Sequence, residues 1–158
     1  MKHILYVFLF CFLLMNCSKD RDDQFDKKEQ WYVLELNGEK ISGENTVTYT
    51  VNPKPKDPLN KDEVRAYVRD KDAIFSVLIS NLPEKGTQAF CRPTTERGCG
   101  MGQGDLVMNV NLISGENRQV LFAFDGEVQR ISENRIKFSG IDLNTKIKVA
   151  GEIKWIKK

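Results

Sequence analysis

Histidine is nearly absent. The single imidazole of the 158-residue chain is His3, and it lies in a leader whose character marks it for removal, which leaves the rest of the chain with none. Ser-His and Cys-His nucleophilic sites, His-ligated zinc and histidine proton transfer near neutral pH are thereby excluded. Surplus charge is missing too: 24 basic residues against 22 acidic give a formal net charge of +2. With neither a basic stripe nor an acidic tail, there is no electrostatic case for nucleic acid as a partner. Nothing repeats at a fixed period, and the length suits one domain with or without a tail. The longest apolar run covers residues 4–15, too short for a bilayer-spanning helix, which needs about 20 residues.

That run follows Lys2 and has no polar face to turn toward water, so it does not suit an amphipathic core helix. A basic start and a short apolar stretch fit a secretory signal peptide over residues 1–16. Immediately after it, Leu14, Met15, Asn16, Cys17 and Ser18 resemble a bacterial lipobox, with Asn16 standing where such boxes carry Gly, Ala or Ser. The resemblance implies that Cys17 becomes the first mature residue and receives acyl chains, palmitate among them, on its sulfur and amine. Two or more chains suffice for stable anchoring. Residues 17–30 are polar apart from Phe25 and form a tether reaching roughly 45 Å extended or roughly 20 Å as a coil. Ser18-Lys19-Asp20 and Asp22-Asp23 resemble the charged export signal of Bacteroidetes surface lipoproteins, which implies an outer-membrane, lipid-anchored protein exposed at the surface. A plain solvated linker would read the same.

Of four cysteines, Cys11 leaves with the signal peptide and Cys17 is taken by lipid. Cys91 and Cys99 remain, and outside the cytoplasm they are expected to form a disulfide. The short loop they close contributes roughly 2.5 kcal/mol in the chain-entropy account, less any native strain. A metal-binding dithiol is the weaker reading, since two thiolates without histidine make a poor zinc site. No metal and no cofactor is called for.

From residue 31 onward the hydrophobic period is two. In residues 46–51, Val47, Tyr49 and Val51 alternate with threonines; Leu106, Met108, Val110 and Leu112 alternate with Val107, Asn109 and Asn111. Val120, Phe122, Phe124 and Val128 fall in one register, opposite Asp125 and Glu127. Ile147, Val149, Ile153 and Trp155 form the inward face of a last strand. Asn37-Gly38 is the strongest short hairpin signal available, and Asp70-Lys71-Asp72 reads as a second hairpin turn. Residues 62–68 read as strand, with a short helix as the alternative, and Pro53, Pro55 and Pro58 make residues 52–61 an extended connection. The expected fold is all-β: an antiparallel sandwich, or a partly closed barrel, of about eight or nine strands over residues 31–158.

This domain resembles the small β-sandwich lipoproteins of the Bacteroidetes. The residues concerned are Trp31 followed by Leu36-Asn37-Gly38; Ile79-Ser80-Asn81-Leu82-Pro83 with Gly86; and the closing Gly140 and Gly151 strands ending in Trp155. The resemblance implies the fold and supplies no active site.

Four features are candidates for function. Gly98, Gly100, Gly102 and Gly104 could cradle phosphate, but no Gly-Lys-Ser/Thr ending follows, and a flexible connection after the disulfide reads better. Arg65, Tyr67 and Arg69 share the outward face of one strand if Val64, Ala66 and Val68 point inward, a stripe able to grip an anionic glycan or a protein. A solvated strand face is the plainer reading of the same residues. Asp125 and Glu127 stand two apart, about 7 Å between Cβ atoms, which an inverting glycosidase pair would tolerate; lysines of the last strand would be ordinary ion-pair partners. Trp31 and Trp155 could form a sugar platform, although the register of Trp155 makes it core first. The leading expectation is a non-catalytic, lipid-anchored envelope module that binds a glycan, a peptide or an envelope protein. The alternative is a carboxylate-based hydrolase using Asp125 and Glu127.

Overall fold

The computed structural model describes residues 29–44, 46–51, 61–70 and 73–156. The expected signal peptide over residues 1–16, Cys17, nearly all of the expected tether, residues 52–60 and the tip Lys71-Asp72 lie outside them. The described residues form eleven strands: β1 (Trp31–Leu36), β2 (Glu39–Glu44), β3 (Val47–Thr50), β4 (Glu63–Asp70), β5 (Ala73–Ser80), β6 (Gly86–Ala89), β7 (Val107–Ser114), β8 (Asn117–Leu121), β9 (Phe124–Ser132), β10 (Arg135–Asp142) and β11 (Lys148–Lys154). They assemble into two antiparallel sheets, one ordered β2-β1-β11-β10-β9-β6 and the other β3-β4-β5-β7-β8. The sheets do not close on each other, so the architecture is the sandwich and not the barrel.

The local signals account for much of this. Asn37 and Gly38 take φ of +49° and +91°, the doubly left-handed turn that matches the twist of a two-residue hairpin, and Leu36 pairs with Glu39 across it. β4 and β5 pair from Glu63 opposite Ser80 to Asp70 opposite Ala73, so residues 63–70 are strand and not helix. Alternation then fills the core. Val64, Ala66, Val77, Ile79, Met108 and Val110 from the five-stranded sheet meet Leu34, Phe124, Val128, Ile136, Phe138 and Ile153 from the six-stranded one, all buried. Trp155 is 1% exposed and its ring stacks on Tyr49, centroids 4.8 Å apart. At the centre of β11, Gly151 is required by packing: a Cβ there would lie 2.6 Å from the Val33 carbonyl oxygen and 2.9 Å from the Phe138 ring.

Three expectations are corrected. Val51 is 67% exposed and ends beyond β3, because the strand stops one residue before it. Val120 and Phe122 do not share a face with Phe124: Phe122 is 62% exposed, while Leu121 and Phe124, three residues apart, are both buried. What reads as one strand over residues 120–128 is β8 in one sheet and β9 in the other, and the crossing at residues 122–123 resets the phase. The count of eight or nine rises to eleven through that division and through β6, a four-residue strand exposed throughout, which leaves no hydrophobic alternation to read.

Candidate functional site

The stripe Arg65, Tyr67 and Arg69 lies where the alternation places it. Val64 and Ala66 are fully buried and Val68 packs against the core, so the intervening side chains emerge on the outer face of the five-stranded sheet. Arg65 and Arg69 are exposed and Tyr67 is half-buried. Register fixes their neighbours: Arg65 lies opposite Thr48 and Leu78, Tyr67 opposite Ser76, and Arg69 opposite Ile74. Continuing outward, Leu78 faces Asn109, Ser76 faces Asn111 and Ile74 faces Ile113. Ile113 in turn faces Arg118.

The result is a broad face with guanidinium groups at Arg65, Arg69 and Arg118 and a polar middle row of Tyr67, Ser76 and Asn111, whose amide donates to the Ser76 hydroxyl at 3.5 Å. From strand geometry Arg65 and Arg69 are about 14 Å apart along β4, and Arg69 and Arg118 about 14 Å apart across three strand spacings. No carboxylate among the described residues pairs with any of the three; Glu63, opposite Thr50 and Ser80, is the one acidic side chain of this face on β4. Arg118 was not singled out from the sequence, where nothing shows that β8 and β4 belong to one sheet.

The six-stranded sheet offers the other candidates. Asp125 and Glu127 do share its outer face, both accessible to solvent. Asp125 forms an ion pair with Arg92. This corrects the expected lysine partners: β10 separates β9 from β11, and the residue that reaches Asp125 comes from the disulfide loop. Glu127 borders an open groove of about 840 Å³ whose lining also includes Trp31, Lys40, Lys137 and Ser139. Opposite charges face each other across its strands, Glu35 against Lys40 and Glu152 against Lys137, and Arg135 is bonded to Glu152. Trp31 is 3% exposed with the Arg135 guanidinium 5.2 Å from its ring centroid. It offers no sugar platform, nor does Trp155 in the core.

Cys91 and Cys99 are joined in a disulfide, with Cα atoms 5.8 Å apart. The glycine-rich stretch behind it is organised by Asp105: its carboxylate accepts from Arg97 Nη2 at 2.7 Å and from the Gly100 N–H at 3.2 Å. Its carbonyl accepts from Asn81 Nδ2 at 2.7 Å. Asn81, buried and left-handed at φ +60°, also takes the Lys61 N–H at 2.7 Å, so one amide ties together the starts of β4 and β7. The Cys91, Cys99 and Asp105 ligand atoms lie within 4.8 Å of one another, but the two sulfurs are bonded to each other and supply no thiolate.

At one end of the sandwich Tyr49 donates its hydroxyl to Asp62. Burial pushes the Tyr49 phenol above its ordinary value, and the hydrogen bond and negative charge of Asp62 push it the same way, against the smaller opposing pull of Arg130. The Arg130 guanidinium also lies 5.0 Å from the Trp155 ring centroid. Tyr49, Trp155 and Arg130 therefore seal the core at this end.

No protein-family model, curated protein or solved structure matches this chain.

Proposed function

We propose that this protein is a lipid-anchored, non-catalytic module of the cell envelope, and that it binds an acidic glycan on the outer face of its five-stranded sheet. The observation that carries the reading is the set Arg65, Arg69 and Arg118, exposed and without a carboxylate partner among the described residues. Pairing an exposed guanidinium group with a carboxylate contributes only modestly to stability. Three that no described residue compensates, on one face, make a site for carboxylates or sulfates, which arginine meets with two parallel hydrogen bonds. Between them, Tyr67 offers a ring to a sugar face, and the partly accessible Asn109 and Asn111 offer amide groups suited to a ligand rich in hydroxyls. The open sheet accommodates an extended chain better than a compact molecule.

Hydrolysis by Asp125 and Glu127 has less support. A general acid on a carboxylate scaffold relies on burial to hold its proton; both groups are accessible to solvent, and Asp125 is engaged with Arg92. The anchor rests on the lipobox resemblance around Cys17, and Cys17→Ala should abolish palmitate incorporation; equal labelling of that variant would remove the anchor from the account. The binding surface is tested by capture of oligogalacturonate. The triple variant Arg65→Ser, Tyr67→Ser, Arg69→Ser should lose capture with its fold intact by circular dichroism, and unchanged capture would move the site elsewhere.

A further inference from the structure

A second feature lies at the corner where the core layer meets the outer face of the five-stranded sheet. At the end of the sandwich away from Trp155, the layer between the sheets opens into a cleft of about 560 Å³. One wall is Leu36 and Ile41 from β1 and β2; the other is Val68, Phe75 and Leu112 from β4, β5 and β7. All five continue the core layer, and all but Phe75 remain partly accessible. The cleft stays open because β8 does not cover it. The inward position after the buried Leu121 is Gln119, opposite Leu112, and it is exposed. A globular core ordinarily finishes with apolar side chains at such a corner, and an exposed apolar concavity bounded by a few polar groups marks a binding site more often than a packing fault. Among the described lining residues the sole charge is Arg118, at the lip and without a carboxylate partner among the described residues.

We propose that this cleft takes the hydrocarbon chain of a fatty acid, with Arg118 holding the carboxylate at the mouth. The apolar walls come from both sheets and exclude water from a chain laid between them. The one cation of the lining supplies the charge complementarity that a carboxylate needs and that a neutral alkane does not. A polyanion such as the proposed glycan has no use for the walls, and the acid has no use for Arg65 or Arg69; Arg118 borders both sites, and the walls and the other two arginines tell them apart.

The experiment uses the full chain in isolated membranes, where no metabolic acylation proceeds, with a twelve-carbon fatty acid bearing a diazirine near its methyl end and an alkyne for recovery. Irradiation followed by peptide mapping should place adducts at Ile41 and Leu112, and excess unlabelled laurate should remove them. Ile41→Trp fills the cleft from the edge strand β2 and should lower the yield at Leu112 at least tenfold. Arg118→Gln should lower labelling by the acid several-fold and leave labelling by its methyl ester unchanged. Replacing Arg65 and Arg69 should change neither, so this site and the glycan face fail independently. Adducts scattered over the outer faces, adducts that survive laurate competition, or no adduct in the cleft because residues ahead of β1 occupy it, would each overturn the proposal. If Ile41→Trp does not fold, the laurate competition and the acid-to-ester comparison on Arg118→Gln still decide it.

Discussion

The two outer faces of the sandwich come from the same kind of sequence, alternating strands whose outward positions hold charged and polar residues, yet their charges are handled differently. On the six-stranded sheet the register sets Glu35 against Lys40 and Glu152 against Lys137, and Arg135 and Arg92 each hold a carboxylate. On the five-stranded sheet Arg65, Arg69 and Arg118 face Thr48, Leu78, Ile74 and Ile113. Opposite charges on adjacent strands stabilise a sheet modestly, and uncompensated like charges contribute nothing to folding. A face that forgoes this stabilisation is the better candidate for a ligand, so compensation of charge, rather than its abundance, separates scaffold from site.

The comparison can be broken by experiment. The largest effect is expected on binding. Removing both guanidinium groups with Arg65→Ala and Arg69→Ala should weaken oligogalacturonate by about 100-fold, at roughly 1.5 kcal/mol for each charge-assisted contact. Arg135→Ala on the opposite face should leave affinity unchanged in the same titration. Equal losses from the two faces would dissolve the distinction between them.

Next in size is the disulfide that positions Arg92. Cys91→Ser with Cys99→Ser should lower stability by up to roughly 2.5 kcal/mol in urea unfolding while sparing oligogalacturonate capture, since the loop serves the compensated face. A third test uses pH. Because the folded Tyr49 phenol titrates above its unfolded value, the native state retains a proton that the unfolded chain gives up. That contribution is fully present below about pH 10, the ordinary tyrosine value, and falls as pH rises past it. Tyr49→Phe should flatten this part of the alkaline unfolding curve, and a curve of unchanged slope would remove Tyr49 from the account.

The smallest effect belongs to the carboxylates. Asp125→Asn and Glu127→Gln should each shift stability by less than about 1 kcal/mol and alter no glycoside-cleaving activity. Loss of a measurable activity in either variant would restore the hydrolase reading.

The face that each residue presents was legible in the sequence, and the sheet to which it belongs was not. Val64, Ala66 and Val68 placed Arg65, Tyr67 and Arg69 outward, Asn37-Gly38 announced the first hairpin, and the leftover cysteines found each other. Period two, however, records only in and out. It continued across residues 122–123, where the chain changes sheets, and so it hid both β8 and the membership of Arg118 in the arginine face. β6 escaped because an edge strand exposed on both sides has no alternation. The Asp125 partner escaped because Arg92 reaches it from a distant loop, and Asn81, which stood only inside the stretch from Ile79 to Pro83, bridges two strand starts through an amide that no local pattern identifies.

The central claim, that arginines without a carboxylate partner among the described residues make the five-stranded face the binding surface, is tested most directly by the salt dependence of oligogalacturonate affinity measured beside a neutral oligosaccharide of equal length. The account predicts binding of the acidic chain that weakens steadily with ionic strength, disappears in Arg65→Glu with Arg69→Glu, and is absent for the neutral chain. Equal affinity for the two chains, insensitive to salt and to those substitutions, would contradict it.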